Sequence, residues 1–491
     1  MKKNIQTHNA DYKLTQKFLD YANCADASYA LLHFVNYVKK DSKDKYDNGD
    51  KQDLGSTYFN KDTNTEQNST YARAIEARFN QEKIGSLCIP LTNKCLIEKD
   101  KISNNDITQV KLDSKLSKRT ITFTNRFRIL AHQENTSSGF SATLFEDTED
   151  NKQKIFAFRG TEFPSGFSDD VLDSDMDLAN SKLPSNQYID MIKFYTQCIA
   201  DKHITESTPL TIVGHSLGGC LAQLLTLSLA TAENANNVKE VYTFNSPGAK
   251  NLKIDEDNLG KVYTIDSTIL TAGDKERALF KKIRGYEYKE KSNLLRDSTL
   301  IGYDDYLFNA IYKYLSNNEN LKEHSILVRT FAMPNMNYIG NSATISSVTY
   351  TYEIFNINQT FINCLETLKA NNLSKQPLAC QDSIHHIESD DDSNPDNNEW
   401  QDELIQNLGI DIDGKHYYIN LLSNSHFILP TIHALQKVLM YMNSGNIDNL
   451  LEYNKLKDLR DESMFLRINR DRKNAELLLH TQPNFLYNLY Y

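Results

Sequence analysis

The sequence predicts an α/β fold in which a mostly parallel sheet carries helices on both faces. The first observation is a series of strand-like runs that begins near residue 118 with "RTITFTNRFRILAHQ", "GFSATLFED" and "KIFAFRG". The second is that strand-like "TIVGH" is followed by a helical pattern to about residue 232, and then by "EVYTFNSPG" and "GKVYTID". Alternating strands and helices favour a parallel sheet, because each crossover between parallel strands needs a long connection, usually a helix.

The chain before this sheet is predicted to be largely helical. Residues 14–38 repeat apolar side chains at three- and four-residue steps, which predicts an amphipathic helix, and "YARAIEARF" predicts a second one. Residues 40–70, between the two helices, are polar and punctuated by Asn, Asp and Gly, as is typical of a solvated loop. Residues 1–115 are therefore predicted to be an N-terminal helical segment with a polar loop.

Three further domains are predicted after that segment. Residues 116–284 hold the α/β core, and residues 285–415 mix helical pieces with β-rich pieces such as "ATISSVTYTYEIF", which indicates a large insertion or cap. The acidic stretch "ESDDDSNPDNNEW" within it lacks the turn glycine of a calcium-binding EF-hand, so a solvated loop is expected there. Residues 416–491 are predicted to hold the final strand, a histidine-bearing loop and C-terminal helices.

The composition and charge exclude several classes of partner. With 40% hydrophobic and 24% charged residues, the chain has the composition of a globular protein. A net charge of −11 argues against a nucleic acid, since phosphate binding depends on an excess of Lys and Arg. The seven cysteines include no Cys-x-x-Cys pair, so neither a disulfide framework nor a zinc site is expected. We expect no metal and no cofactor.

Two segments bear on localisation. The start, "MKKNIQTHNADYKLTQKF", has two lysines but no apolar run behind them, so a secretory signal peptide is not expected. Residues 207–232 carry no Asp, Glu, Lys or Arg and are long enough to cross a bilayer. Their glycines, threonines and Gln223 nevertheless favour a buried strand followed by a buried helix. The expectation is a cytoplasmic protein, or one exported without a signal peptide, that has no transmembrane helix.

One motif in the chain points to catalysis. Gly214, Ser216 and Gly218 form a G-x-S-x-G pattern after an apolar run and before a helical one, which is the context of a nucleophile elbow. In such an elbow a tight turn exposes the serine hydroxyl, and the glycines on either side relieve crowding. The alternative is a serine in an ordinary structural turn.

The residues around this motif resemble a known family. "GHSLGG" after an apolar strand, together with "FAFRGTE" about fifty residues upstream, resembles the lipase class 3 (fungal-lipase-like) family of the α/β-hydrolase superfamily. "GFSATLFED" is similar to its bacterial members. The resemblance extends from about residue 125 to residue 275 and implies an α/β-hydrolase-like sheet.

The resemblance also implies an oxyanion hole. In that family the residue after the upstream Arg-Gly helps to bind the oxyanion, which here is Thr161, and the backbone N–H of Leu217 is the second donor. Acyl transfer needs donors fixed where the tetrahedral oxyanion develops. His215, beside Ser216, is expected to be a packing residue, because strand geometry directs it away from the serine.

The other two members of a triad are less well determined by the sequence. The acid should follow the strand after "VYTFNSPG", which gives Asp266, with Asp274 as the alternative. The base should follow the last strand, and His426 lies between a strand pattern and a helix pattern. His324 is the alternative base, since its spacing from Asp266 is similar to the family's. His433 is expected to pack within a helix.

The segment after Thr161, "EFPSGFSDDVLDSDM", mixes apolar side chains with a dense group of acids. It is typical both of an amphipathic lid that opens on lipid and of a plain surface loop. Its acids could bind calcium, although their spacing matches no specific site.

Three functions remain open from the sequence. The first is a serine ester hydrolase, lipase or phospholipase A1-like, that cleaves acyl esters of glycerolipids through an acyl-enzyme on Ser216. The resemblance implies triacylglycerol or the sn-1 ester of a phospholipid as the substrate. The second is a secreted membrane-attacking phospholipase effector, a toxin with a secretion machine or an immunity protein as its partner. The third is a catalytically inactive hydrolase-fold binding protein.

Overall fold

The computed structural model of the protein describes a defined set of residues. It comprises residues 2–35, 51–79, 86–88, 95–98, 110–160, 178, 181–254, 259, 261–265, 324–339, 342–390, 410–420, 428–443, 467–469 and 475–477.

The described strands, in chain order, are β1 (Thr57–Asn60), β2 (Thr65–Asn68), β3 (Ser86–Cys88), β4 (Cys95–Glu98), β5 (Phe127–Gln133), β6 (Ala142–Asp147), β7 (Gln153–Phe158), β8 (Leu210–His215), β9 (Val238–Phe244), β10 (Lys261–Ile265), β11 (His324–Ile339), β12 (Ser342–Ile357), β13 (Ile384–Asp390), β14 (Lys415–Asn420), β15 (Arg467–Asn469) and β16 (Ala475–Leu477). The described α-helices are α1 (Lys2–Ala27), α2 (Thr70–Phe79), α3 (Lys118–Arg126), α4 (Ser185–Ala200), α5 (Leu217–Leu229), α6 (Gln359–Asn372) and α7 (Ile428–Asn443).

A nine-stranded sheet in the order β16-β15-β14-β13-β9-β8-β7-β6-β5 organises the larger part of the fold. Its five central strands, from β14 to β7, are all parallel to their neighbours. Antiparallel strands extend it at both edges, β6 and β5 beyond β7 and β15 and β16 beyond β14. This mixed sheet with a parallel centre confirms the predicted α/β-hydrolase-like fold class.

Helices cover both faces of the sheet, which explains why β8 at its centre is buried along its whole length. Every residue of β8 is buried, as expected for a parallel strand with helices on either side. On one face Val213 of β8 belongs to a core with Phe18 of α1 and Ile432 of α7. On the other face the ring of Phe156 in β7 lies 5.5 Å from that of Phe194 in α4.

The uncharged stretch 207–232 resolves into β8 and α5, as expected. Helix α5 has 13 residues, which gives a length of about 20 Å, less than the roughly 30 Å hydrocarbon core of a bilayer. None of the helices in the described part of the chain combines the length and apolarity that crossing a membrane requires.

The chain divides into two compact units, residues 1–253 with 366–491 and residues 254–365. The first unit contains the nine-stranded sheet. The second contains a three-stranded antiparallel sheet in the order β10-β11-β12. Strand β13, which lies inside the range 285–415, is a central member of the nine-stranded sheet. The division into four domains stays a prediction.

Several local elements differ from the sequence predictions. Helix α1 begins and ends earlier than the predicted range 14–38, and the polar range 40–70 contains the hairpin of β1 and β2. The predicted strand "RTITFTN" is in fact part of α3, which begins where the Ser117 hydroxyl accepts a hydrogen bond from the Thr120 N–H. Inside α3 the Thr124 hydroxyl donates to the Thr120 carbonyl at 2.9 Å. The cap stabilises the first turn of α3 and so offsets the weak helix propensity of its β-branched threonines.

Candidate active site

Ser216 lies in the strand–turn–helix context that an elbow requires. It follows the last residue of β8 and precedes the first residue of α5. Its backbone has φ 55° and ψ −135°, a conformation that residues other than glycine rarely adopt. A non-glycine residue held in such a conformation marks a strained position of the kind found at functional sites.

The glycines on either side of Ser216 are required by close backbone approaches. A Cβ on Gly214 would lie 2.0 Å from the Gly218 carbonyl oxygen, and a Cβ on Gly218 would lie 2.3 Å from the Phe158 carbonyl oxygen. Since real Cβ atoms do not approach so closely, a side chain at either position would push α5 away from β8 or β7. The G-x-S-x-G spacing therefore reflects the packing of the elbow against the end of β7.

The backbone that leads to Thr161 lies directly against Ser216. A Cβ on Gly160 would come within 3.1 Å of the Ser216 Cβ and 2.6 Å of the His215 carbonyl oxygen. Leu217 is the first residue of α5, where backbone N–H groups have no partner within the helix and carry partial positive charge. Thr161 itself lies outside the described residues. The chain ahead of it and the helix N-terminus thus converge on the serine.

Tyr29, which the sequence analysis did not single out, joins these two segments. Its hydroxyl oxygen accepts a hydrogen bond from the Gly160 N–H at 3.0 Å. The same hydroxyl lies 3.0 Å from His215 Nδ1. Because a phenolic hydroxyl can accept one bond and donate another, Tyr29 can donate to His215 while it accepts from Gly160. No sequence pattern identifies a tyrosine 187 residues before the serine as part of its surroundings.

The packing around Tyr29 holds this arrangement in place. Tyr29 is 1% exposed, and the Arg78 guanidinium lies 4.6 Å from the centre of its ring. Arg78 in turn bonds the carboxylate of Asp26, near the end of α1. His215 is 2% exposed, so it is a buried packing residue, as its strand position predicts.

Most of the other predicted site residues lie outside the described part of the chain. These are Asp266, Asp274, His426 and the segment of residues 162–176 with its acids. The alternative base His324 is the first residue of β11, and its backbone pairs with Ile265. His433 lies in α7, as predicted, but its side chain is exposed rather than packed.

The elements on either side of His426 agree with the sequence prediction. Strand β14 ends at Asn420, and α7 begins at Ile428. The histidine therefore follows a strand of the nine-stranded sheet and precedes a helix that packs on it. That is the position a base requires in a hydrolase in which the triad order is serine, acid, histidine.

Two buried histidines of β13 are structural. His385 Nδ1 lies 3.0 Å from the Tyr417 hydroxyl, and His386 Nδ1 lies 2.8 Å from the Thr243 hydroxyl. Burial lowers the pKa of each imidazole to about 3. Both rings are consequently neutral at physiological pH and held by their neighbours.

One group of side chains could hold a metal ion. The donor atoms of Glu388, Asp411 and His416 all lie within 4.8 Å of one another. His416 Nδ1 is 3.4 Å from the Glu388 carboxylate and 4.0 Å from that of Asp411, and Gln223 donates to Asp411 at 2.7 Å. The three side chains also lie close to one another without an ion, since each carboxylate is within 4.0 Å of the imidazole.

Comparisons with known proteins support the family resemblance. Residues 155–265 match the model of the family described as Lipase (class 3). The resemblance to this family is thereby confirmed for the segment that contains β7, the elbow and β9, and it supports an ester hydrolase of the lipase type. The match ends at Ile265, one residue before Asp266. No curated protein matches the chain.

Two solved structures are similar over part of the fold. One is a triacylglycerol lipase described as having a serine protease triad at its catalytic centre, with 19% identity over 26% of this chain and 52% of that one, at a TM-score of 0.17. The other is the Rhizomucor miehei lipase in complex with its propeptide, with 16% identity over 26% of this chain and 44% of that one, at a TM-score of 0.17. The chain spans about half the length of these structures or less.

Proposed function

From the lipase class 3 match over residues 155–265, we propose that the chain is a serine ester hydrolase that cleaves acyl esters of glycerolipids. The observation that carries the proposal is Ser216, a buried serine at positive φ between a parallel strand and the N-terminus of a helix. Such an elbow holds a hydroxyl at the carboxyl edge of the sheet, where α/β-hydrolases perform acyl transfer.

The proposed reaction proceeds through an acyl-enzyme. His426 accepts the proton of the Ser216 hydroxyl as its oxygen attacks the ester carbonyl carbon, and the carbonyl oxygen becomes an oxyanion. Leu217 N–H and Thr161 stabilise this oxyanion. The C–O bond to the alcohol then breaks, and the alcohol leaves with the proton from His426. A water molecule attacks the acyl group by the same steps in reverse, which releases the fatty acid and restores Ser216.

The substrate class follows from the family match rather than from the described pocket residues. Triacylglycerols and the sn-1 ester of phospholipids are the two proposed substrates. The net charge of −11 favours a neutral or zwitterionic lipid surface, because an anionic surface repels an acidic protein at low salt.

The first test measures hydrolysis of a short p-nitrophenyl ester and of phosphatidylcholine vesicles, together with labelling by a fluorophosphonate that reacts with activated serines. Ser216→Ala should abolish both turnover and labelling. Ser228→Ala is the matched control, because Ser228 is another buried serine, inside α5, that is bonded to the Leu224 carbonyl and to Tyr188. Turnover that survives Ser216→Ala would refute the proposed nucleophile.

The base is tested with the same assays. His426→Ala should lower turnover by about 10⁴-fold or more, as removal of a triad base does in other serine hydrolases. His433→Ala, an exposed histidine of α7, is the control. Loss of turnover in His324→Ala instead would assign the base to the alternative histidine. A wild-type chain that is folded, inert on every ester and unlabelled would favour the non-enzymatic binding function.

A further inference from the structure

The position of the triad acid can be inferred from the order of strands in the nine-stranded sheet. Resting on the proposed function, we infer that the acid is supplied by the carboxyl end of β13, at Asp390, rather than by the residues that follow β10. The prediction of Asp266 from the sequence depends on "GKVYTID" being the next parallel strand after β9.

The hydrogen-bond pattern does not support that assumption. Strand β10 pairs antiparallel with β11 in the three-stranded sheet of the unit 254–365. The parallel neighbour of β9 on the side away from β8 is β13. Ser216 and Asp390 therefore belong to the same compact unit and the same sheet, with one strand between the strands that carry them.

The strand register places Asp390 near the level of Ser216. His215 is opposite Phe244 on β9, and Phe244 is opposite Ile387 on β13. Strand β13 continues for three residues past that level to Asp390. Since neighbouring strands are about 4.8 Å apart, β8 and β13 are separated by about 10 Å. In a triad, two hydrogen bonds of about 2.8 Å and the imidazole between them place the carboxylate about 8 Å from the serine oxygen.

The connection to the proposed base fits the same placement. Asp390 is opposite Asn420, the last residue of β14, and His426 follows six residues later. Six extended residues reach about 20 Å, more than the roughly 14 Å that separates β14 from β8 across three strand spacings. Ser216, Asp390 and His426 also occur in the serine, acid, histidine order of α/β-hydrolases.

Among the described residues, Glu388 is the other acid at this end of β13, and its carboxylate already lies in a polar cluster. It lies 3.4 Å from His416 Nδ1 in the cluster with Asp411. An acid that must hold the catalytic imidazole cannot at the same time serve His416 with the same geometry. Asp390, the last residue of the strand, is therefore the assigned acid.

The inference is tested with Asp390→Asn, which keeps the size of the side chain and removes its charge. We expect kcat/KM on the p-nitrophenyl ester to fall by about 10²- to 10⁴-fold, since an amide no longer stabilises the imidazolium. We also expect the acidic limb of the kcat/KM profile to move to lower pH, because a lost neighbouring carboxylate lowers the pKa of the histidine. Asp390→Glu should restore part of the activity.

The matched control is Asp382→Asn. Asp382 is an exposed aspartate just before the amino end of the same strand, so it lies at the opposite end of the strand from Asp390. The kcat/KM of its variant should equal that of the wild type. Thermal unfolding of each variant separates misfolding from a catalytic effect. If Asp390→Asn does not fold, the pH dependence of kcat/KM in Asp390→Glu tests whether the side chain at this position acts on the histidine.

Two results would overturn the inference. The first is full activity in a folded Asp390→Asn, and the second is a comparable loss confined to Asp266→Asn or Asp274→Asn. Failure of the proposed function is a different result, because then the wild type is inert and Ser216 is not labelled. In that case the inference is lost with the function on which it rests.

Discussion

A single hydroxyl, that of Tyr29, connects the two pieces of backbone that surround Ser216. It accepts the Gly160 N–H, one residue before Thr161, and it lies within hydrogen-bond distance of His215, one residue before the serine. The position of Gly160, next to the proposed oxyanion donor Thr161, therefore depends on a residue from the N-terminal part of the chain. Geometry of this kind affects the transition state more than substrate binding, since the oxyanion exists only during the reaction.

Tyr29→Phe is expected to remove both hydrogen bonds and to keep the ring in place. We expect kcat to fall by about tenfold while KM changes little, and the free energy of unfolding to fall by about 1–2 kcal/mol because the buried Gly160 N–H loses its acceptor. Ester hydrolysis and urea unfolding measure the two effects.

Tyr71→Phe is the control for Tyr29. Tyr71 is a fully buried tyrosine whose hydroxyl donates to the Phe127 carbonyl at 2.7 Å. Its loss should lower stability by a similar amount and leave kcat unchanged. If the two variants have the same kcat, Tyr29 has no positioning role.

At the scale of elements, one buried carboxylate pairs with an arginine from each of two neighbouring helices. Asp26 near the end of α1 accepts from Arg78 of α2 at 2.6 Å and from Arg119 of α3 at 2.5 Å. Burial alone would raise the pKa of Asp26, but the two guanidinium groups outweigh it and hold the pKa below its ordinary value. Asp26 thus links α1 to both α2 and α3, and it also orders the Arg78 guanidinium that lies against the Tyr29 ring.

Asp26→Asn is expected to lower the free energy of unfolding by about 3–5 kcal/mol at pH 7, because two buried guanidinium groups lose their anion. The pKa of Asp26 is lower in the folded protein than in the unfolded chain. The Asp26 carboxylate therefore stabilises the fold fully above its pKa in the unfolded chain, and this stabilisation is lost as the pH falls through its pKa in the folded protein. The difference from the wild type should therefore narrow only below about pH 4. Urea unfolding between pH 3 and pH 7 gives the comparison.

Asp150→Asn is the control for Asp26, because Asp150 forms an exposed pair with Lys239 at 3.9 Å. That change should stay within about 0.5 kcal/mol of the wild type. A cost below about 1 kcal/mol for Asp26→Asn would show that the buried cluster contributes little net stability.

At the scale of the whole molecule, the chain leaves the larger unit after residue 253 and returns at residue 366. The ends of this excursion are tied together within the larger unit. Asn372 donates to the Leu252 carbonyl at 2.6 Å and accepts from the Leu252 N–H at 3.1 Å. An insertion whose two ends meet in one place can be removed with little strain on the sheet.

Replacement of residues 254–365 by a short Gly-Ser linker is expected to leave a folded protein that unfolds in one transition. It removes Asp266, Asp274 and His324 together, yet fluorophosphonate labelling of Ser216 should persist, because the proposed triad lies in the remaining unit. Ser216→Ala in the shortened chain is the control. A folded but unlabelled deletion variant would show that the 254–365 unit contributes to the site.

The sequence by itself determined the parts of this protein that depend on contiguous residues. The apolar run of β8, the G-x-S-x-G spacing and the helical pattern of α5 are local, so they identify the elbow without further information. Likewise, the strand pattern before His426 and the helix pattern after it predict β14 and α7. Local patterns failed at α3, which begins at the Ser117 cap and is helical despite the β-propensity of "RTITFTN".

Only the tertiary structure decided which strands are neighbours. The pattern of "GKVYTID" predicts a strand, and β10 is one, but no local property shows that its partner is β11 rather than β9. The same holds for β13, which joins the sheet more than one hundred residues later, and for Tyr29, which reaches the elbow from the turn after α1. Strand pairing and side-chain contact are long-range interactions, whereas hydrophobic periodicity reports only whether a segment is buried and in what form. The proposed nucleophile therefore follows from the sequence, whereas the proposed acid follows only from the order of strands in the sheet.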